Sequence, residues 1–324
     1  MRQDQFIRRF DPEWEEFAEL LGALESKPKQ VSHLDQFPIR YRRLCQHYAL
    51  ARSRAYSPSL TERLRRMVLR AHQRFYLPRR PWAEQLVDFL LRGYPRLVRR
   101  EWRFVSAAAL AFYGTMLALI LGVQAFPDLV YTVLEPDSVH SIEAMYDPHL
   151  QRRLGRENEA DSDFLMFGYY IRNNTSIGFQ TFAGGLLMGL GTLFYLVYNG
   201  VFIGAVAGHL TQVGYGTPFW SFVSGHSAFE LTAIALSGAA GLRLGWALLS
   251  PGRKSRRLAL RDAAAVGVQL IYGAAALFLL AAFVEAFWSS QVSLAPIVKY
   301  SFGGFLWALL LVYLCLFGRQ QGAR

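Results

Sequence analysis

Between Phe164 and Leu249 the chain carries only three charged residues, Arg172, Glu230 and Arg243. A domain that faces water is about one quarter charged, so a stretch this long and this poor in charge is not the surface and core of a soluble domain. The overall composition, 52% hydrophobic and 18% charged, hides the contrast. Residues 1–103 hold 22 Lys/Arg and 12 Asp/Glu. Intrinsic disorder is excluded, and a soluble enzyme of one or two domains is a poor description. The pattern predicts an all-α, polytopic α-helical membrane protein with an N-terminal cytoplasmic helical bundle.

In the bundle, expected over residues 1–80, Phe6, Phe10, Trp14, Phe17, Leu21 and Leu24 recur at steps of three and four and form one apolar stripe. Lys27-Pro28-Lys29 should end that helix. A second helix is expected from Pro38 to Tyr56, with Tyr41, Leu44, Cys45, Tyr48 and Ala49 inward and His47 outward. A third is expected to about Tyr76, opened by a Ser59/Glu62 capping box. Residues 81–103 then mix Trp82, Leu86, Phe89, Leu97 and Trp102 with Arg92, Arg96, Arg99, Arg100 and Arg103. A basic amphipathic helix with terminal tryptophans lies in the headgroup layer, so this segment reads as an interfacial elbow bent at Gly93 and Pro95.

Residues 104–318 read as a transmembrane domain of five or six passes. Runs long enough for a ~30 Å hydrocarbon core are 104–126, 179–198, 220–249, 263–288 and 297–317. The short run 201–213 follows Asn199-Gly200, a strong turn pair. The 127–163 segment has nine acids and three arginines. The 250–262 loop has Arg253, Lys254, Arg256, Arg257 and Arg261 against Asp262. Positive-inside bias then puts the N-terminus, that loop and the Arg319/Arg324 tail in the cytoplasm, with 127–163 facing outward. Six passes satisfy this placement if 201–218 makes a short return crossing; five do not.

The N-terminus lacks the apolar core of a secretory signal, so no cleavage is expected and the first span sets the orientation. Cys45 and Cys315 form neither a disulfide framework nor a zinc pattern. The net charge of +11 fits attraction to anionic lipid headgroups better than a nucleic-acid partner. Membrane lipid is thus an expected partner, and nucleic acid is not. No cofactor is indicated.

The densest polar cluster in an apolar run is Ser224-Gly225-His226-Ser227-Ala228-Phe229-Glu230. His226 and Glu230, four apart, share a helix face. A carboxylate within a span is costly unless it is paired or faces a cavity, which makes Glu230 a candidate site residue. His209 and Asn199 are the other candidates. The readings are a structural polar network, a proton or ion pathway centred on Glu230, a metal site of His209, His226 and Glu230, and an intramembrane hydrolase suggested by Gly225-x-Ser227. Gly200, Gly204 and Gly208, together with Gly241 and Gly245, recur every fourth position and predict close helix packing that also permits a homo-oligomer.

Three features occur in order: Asn199-Gly200-x-x-x-Gly204, Gly225-His226-x-x-x-Glu230-Leu231-x-Ala233-Ile234 and Gly241-Leu242-Arg243-Leu244-Gly245. On these the chain resembles the stage II sporulation protein M family of bacterial membrane proteins over roughly residues 104–318. The resemblance implies a non-enzymatic platform in the inner membrane. The family's sporulation protein acts beside a cell-wall hydrolase and another membrane protein. The added N-terminal bundle resembles the longer variant of bacteria that do not sporulate. The expected function is a scaffold or accessory component of an envelope or cell-wall assembly, with membrane or envelope proteins as partners. The alternatives are a transporter or channel around His226 and Glu230 and, beyond it, an intramembrane hydrolase.

Overall fold

The computed structural model describes residues 1–26, 36–76, 82–147, 149, 154–155 and 162–319. The expected stop at Lys27-Pro28-Lys29, the start of the elbow at Pro81, and Arg324 of the tail lie outside the described residues. The chain divides into two compact units, Met1–Gln85 and Leu86–Arg324.

The first unit holds α1 (Gln3–Ser26), α2 (Phe37–Ser53) and α3 (Pro58–Tyr76). The α1 stripe is its core: Phe6, Trp14, Phe17, Leu21 and Leu24 are buried against Phe37, Leu44, Leu60, Leu64 and Ala71. His47 turns inward rather than outward. It accepts a hydrogen bond from Trp14 Nε1 at 3.1 Å, and burial holds its pKa below the usual imidazole value. Ala49, expected inward, is exposed. Helix α2 ends at Ser53, before Tyr56, because Ala55 takes a left-handed φ of 50°. The Ser59/Glu62 capping box does not form. Glu62 pairs with Arg65 at 2.7 Å, and the start of α3 is instead tied down by Gln3, whose Oε1 accepts from the Ser57 amide at 2.9 Å. Exposed ion pairs such as Arg40–Glu16 add little, about 0–1 kcal/mol each. Apolar burial carries this unit.

The second unit comprises the remainder of α4 (Trp82–Asp88), then α5 (Tyr94–Arg100), α6 (Trp102–Ala125), α7 (Pro136–Tyr146), α8 (Asp163–Ala183), α9 (Leu190–Gln212), α10 (Gly216–Leu249), α11 (Arg256–Val284) and α12 (Pro296–Leu316). A widened π-helical turn, Phe89–Gly93, separates α4 from α5. The elbow arginines have protein partners. Arg99 donates to the carbonyls of Leu314 at 2.5 Å and Phe317 at 2.6 Å, and Arg96 donates to that of Gly318. These carbonyls at the end of α12 have no helical successor to satisfy them, and cations suit that end of a helix. Arg92 pairs with Asp88, Arg100 with Glu101, and Arg103 lies over the Trp102 ring.

Among the described residues, five helical stretches are long and apolar enough to cross a membrane: α6, α9, α10, the stretch Arg256–Ser289 that contains α11, and α12. Helix α8 is as long as α12 but carries Arg172, Asn173, Asn174, Thr175 and Ser176 in its middle. The expected break at Asn199-Gly200 is absent. Both residues lie within α9, and the reversal falls earlier, at 184–189, where Met188 and Gly189 take φ of 55° and 87°. Asn199 stays helical because its amide donates back to the Tyr195 carbonyl at 2.7 Å. The predicted run 179–198 is therefore the end of α8, a reversal and the start of α9. The short run 201–213 is the second half of α9.

Helix direction follows from side-chain neighbours. Gly200 faces Phe112 and Thr115, Gly204 faces Met116 and Leu119, and Gly208 faces Ile120 and Val123, so α6 and α9 run parallel. A parallel pair needs a return, and α8 supplies it. It is antiparallel to α9, and Thr192 Oγ1 donates to the Thr181 carbonyl at 2.7 Å. Helix α10 packs against α6, α8, α9, α11 and α12. Its glycines allow backbone-on-backbone contact: a Cβ on Gly185 would fall on the Gly241 carbonyl, and one on Gly245 would fall on the Gly189 amide. Side chains such as Leu110, Leu117, Phe194 and Phe305 point outward, as lipid-facing residues do.

Replacing Gly185 by alanine should destabilise the detergent-solubilised protein by about 1–3 kcal/mol or more, read as a lowered melting temperature. Gly304→Ala, where an added Cβ meets nothing within 4 Å, should leave it unchanged or slightly raised. Equal behaviour of the two variants would contradict the backbone contact.

Candidate functional site

The polar cluster forms where α10 meets the end of α11. His226 and Glu230 lie one turn apart on α10, with Nε2 and Oε2 3.7 Å from each other. Beyond Val284, α11 widens into a π-helical turn, Glu285–Ser289, a distortion frequent at functional sites. That turn delivers two groups to the α10 pair. Ser289 Oγ lies 3.1 Å from His226 Nδ1. The Glu285 carboxylate joins the two α10 side chains, and one donor atom from each of His226, Glu230 and Glu285 falls within 4.8 Å of the others.

Other elements close the cluster. Tyr146 of α7 is buried, packs on Phe219 and Phe222 at 5.3 and 5.8 Å, and lies within electrostatic reach of both carboxylates. Its phenol is held protonated far above the ordinary range, first by burial and then by Glu285 and Glu230. Phe222 stands edge-on to the His226 ring at 5.1 Å. Lys299, 1% exposed at the start of α12, donates to the Ser289 carbonyl at 2.8 Å. Asn174 of α8 faces Glu285 without closing a hydrogen bond, and Glu285 Oε2 and Asn174 Nδ2 are both buried without a partner among the described residues. An unpaired carboxylate oxygen at such a place costs free energy unless something else meets it.

The other candidates from the sequence lie elsewhere. His209, near the end of α9, has Nε2 2.7 Å from Glu143 Oε1 of α7 and is not a member of the cluster. Asn199 is committed to the Tyr195 carbonyl. The metal set of His209, His226 and Glu230 is therefore not assembled; Glu285 stands where His209 was expected. Ser227 accepts from Trp307 Nε1 at 3.2 Å. The serine at His226 is Ser289, which is fully buried and so orients the imidazole rather than exposing a nucleophile. Glu285 was detectable as a carboxylate within the run 263–288, the same signal that marked Glu230. Lys299, within the run 297–317, carries that mark too, whereas Tyr146 and Asn174 do not.

A second buried charge sits at the elbow end. Glu101, 5% exposed, joins Arg243 at 2.5 Å and Arg100 at 3.0 Å. Arg243 also lies over Phe104. Phe104, Arg243, Trp246, Lys254 and Asp262 line a crevice of about 240 Å³ there.

Comparison with known proteins gives two family matches. Residues 104–290 match the model described as Stage II sporulation protein M. That is more than half of the chain, and it contains Tyr146, Asn174, His226, Glu230, Glu285 and Ser289. Residues 4–77 match a Domain of unknown function (DUF8413). No curated protein and no solved structure matches.

His226 and Glu230 should behave as one unit. In a double-mutant cycle of His226→Ala and Glu230→Ala, read by thermal stability in detergent, the coupling energy should be about 0.5–3 kcal/mol. Additive losses would show that the two side chains do not interact.

Proposed function

The chain belongs to the Stage II sporulation protein M family, and on that premise we propose that it is a non-enzymatic platform in a bacterial inner membrane. It presents its N-terminal helical unit to the cytoplasm and assists an envelope or cell-wall assembly. The observation that carries this reading is the backbone-on-backbone packing of α8, α9 and α10 at Gly185, Gly189, Gly241 and Gly245. Helices joined at this range form a rigid block, which suits a docking base and resists the rocking that alternating access requires. The orientation rests on charge. The end that gathers Arg96, Arg99, Arg243 and the 253–261 cations is the cytoplasmic one, and the acidic 127–163 segment faces outward. Helix α8 then makes the sixth pass, returning the chain between the parallel α6 and α9. The exposed Arg92, Arg100 and Arg103 meet anionic headgroups.

A second reading, a transporter or channel, is favoured by the buried cluster of His226, Glu230 and Glu285. Ionisable residues grouped inside a membrane unit often mark an ion route.

Single cysteines at Asp147, Ser255 and Arg319, in a background without Cys45 and Cys315, test the orientation. Only the position 147 probe should react with an impermeant thiol reagent in intact spheroplasts. Labelling at 255 would overturn the six-pass arrangement. For the function, the protein purified with native lipid should carry envelope proteins and show no turnover. Hydrolysis of a lipid or peptide, or ion flux in proteoliposomes, lost in Glu230→Gln, would replace the platform reading.

A further inference from the structure

The cluster at the end of α11 has the composition of a metal site, and this inference stands apart from the platform reading. We propose that His226, Glu230 and Glu285 bind one first-row divalent transition ion of the zinc class, holding α10 and the π-helical turn together inside the membrane unit.

Two carboxylates enclosed with an imidazole in a region of low dielectric can both ionise only where a cation joins them, and one divalent ion would balance both charges. Lys299, at the start of α12, is bound to the Ser289 carbonyl, and no ion pair joins it to either carboxylate among the described residues. Glu285 is 8% exposed, and its Oε2 is buried with no hydrogen-bond partner, although the residue belongs to the cluster in which the three donor atoms converge.

A histidine that ligates a metal through one ring nitrogen almost always donates its other N–H to an oxygen, which fixes tautomer and ring direction. Ser289 Oγ is 3.1 Å from Nδ1 and is well placed to accept. That tautomer leaves the Nε2 lone pair on the side of Glu230, at 3.7 Å from Oε2. Around a tetrahedral ion with bonds of about 2.1 Å, donors sit roughly 3.4 Å apart. The observed pair is near that spacing, and the wider separations, up to 4.8 Å, close with a small rotation of a carboxylate. The imidazole decides the class of ion, because calcium and magnesium prefer oxygen-only shells, whereas mixed nitrogen and carboxylate donors suit zinc, cobalt or manganese.

The test uses the full chain in lipid nanodiscs, stripped with a chelator and then titrated with Co²⁺ and Zn²⁺. Co²⁺ should bind one equivalent per chain, giving a visible d–d band, and Zn²⁺ should displace it and raise the melting temperature. Glu285→Gln and His226→Gln should weaken Co²⁺ at least about tenfold, and Ser289→Ala, through loss of the imidazole's orientation, by about tenfold. Should the ligand variants fail to fold, the wild type still decides: imidazole protons shifted by bound Co²⁺ are required. The proposal is overturned if the stripped wild type takes neither ion below millimolar concentration, if Glu285→Gln binds as tightly as wild type, or if only Ca²⁺ or Mg²⁺ binds. None of these readouts involves a protein partner, so failure here leaves the platform reading standing, and loss of that reading leaves this site standing.

Discussion

The membrane unit depends on how near its helix axes can come. In lipid no hydrophobic gain draws one apolar helix to another, so association rests on close contact and interhelical hydrogen bonds. Helix α10 supplies the contact. Gly241 and Gly245 receive the 184–189 reversal directly on their backbone, Gly238 takes Leu196 into the gap, and Gly225 lets the π-helical turn of Glu285–Ser289 approach. Thr192, reaching the Thr181 carbonyl in the same place, adds the hydrogen bond that small residues make room for. Without these positions α8, α9 and α10 would stand a side chain apart. The polar groups behind them would then be left facing hydrocarbon.

The same proximity explains how a histidine and two carboxylates are tolerated in the interior. Ser289 orients His226, Phe222 covers the ring with Tyr146 packed behind it, and Lys299 fixes the Ser289 backbone. The two ends of the unit also differ chemically. At the elbow end a carboxylate, Glu101, is surrounded by Arg100 and Arg243. At the other end His209 and His140 both approach Glu143. Buried ion pairs add little net stability but penalise wrong partners, since a lone buried charge is expensive.

Much of this was legible in the residues. The α1 stripe was readable because a three-and-four repeat of Phe, Trp and Leu admits one helical solution. His226 and Glu230 were readable as a pair because spacing on one helix is a local property. The boundary between α8 and α9 was not. An apolar run of that length has little punctuation, and Asn199-Gly200 competes as a turn with the glycines at 184, 185 and 189. Two facts of the fold decide it: the Asn199 amide finds a carbonyl on its own helix, and Gly200 is occupied by α6. Glu285, Tyr146 and Lys299 reach the cluster through a π-helical turn and through chain segments far apart in sequence, and no spacing rule contains that information. His209 was drawn to Glu143 on α7, a helix whose packing the sequence does not announce.

The arginine contacts at the end of α12 tie the oldest and the newest parts of the membrane unit together. Arg96 and Arg99 reach carbonyls 215 to 222 residues downstream. During synthesis those guanidinium groups exist long before their acceptors do. Completion of the last helix supplies the peptide carbonyls that hold these arginines. The two ends of the unit thus close like a clasp, which a chain that stops short of Leu314 lacks.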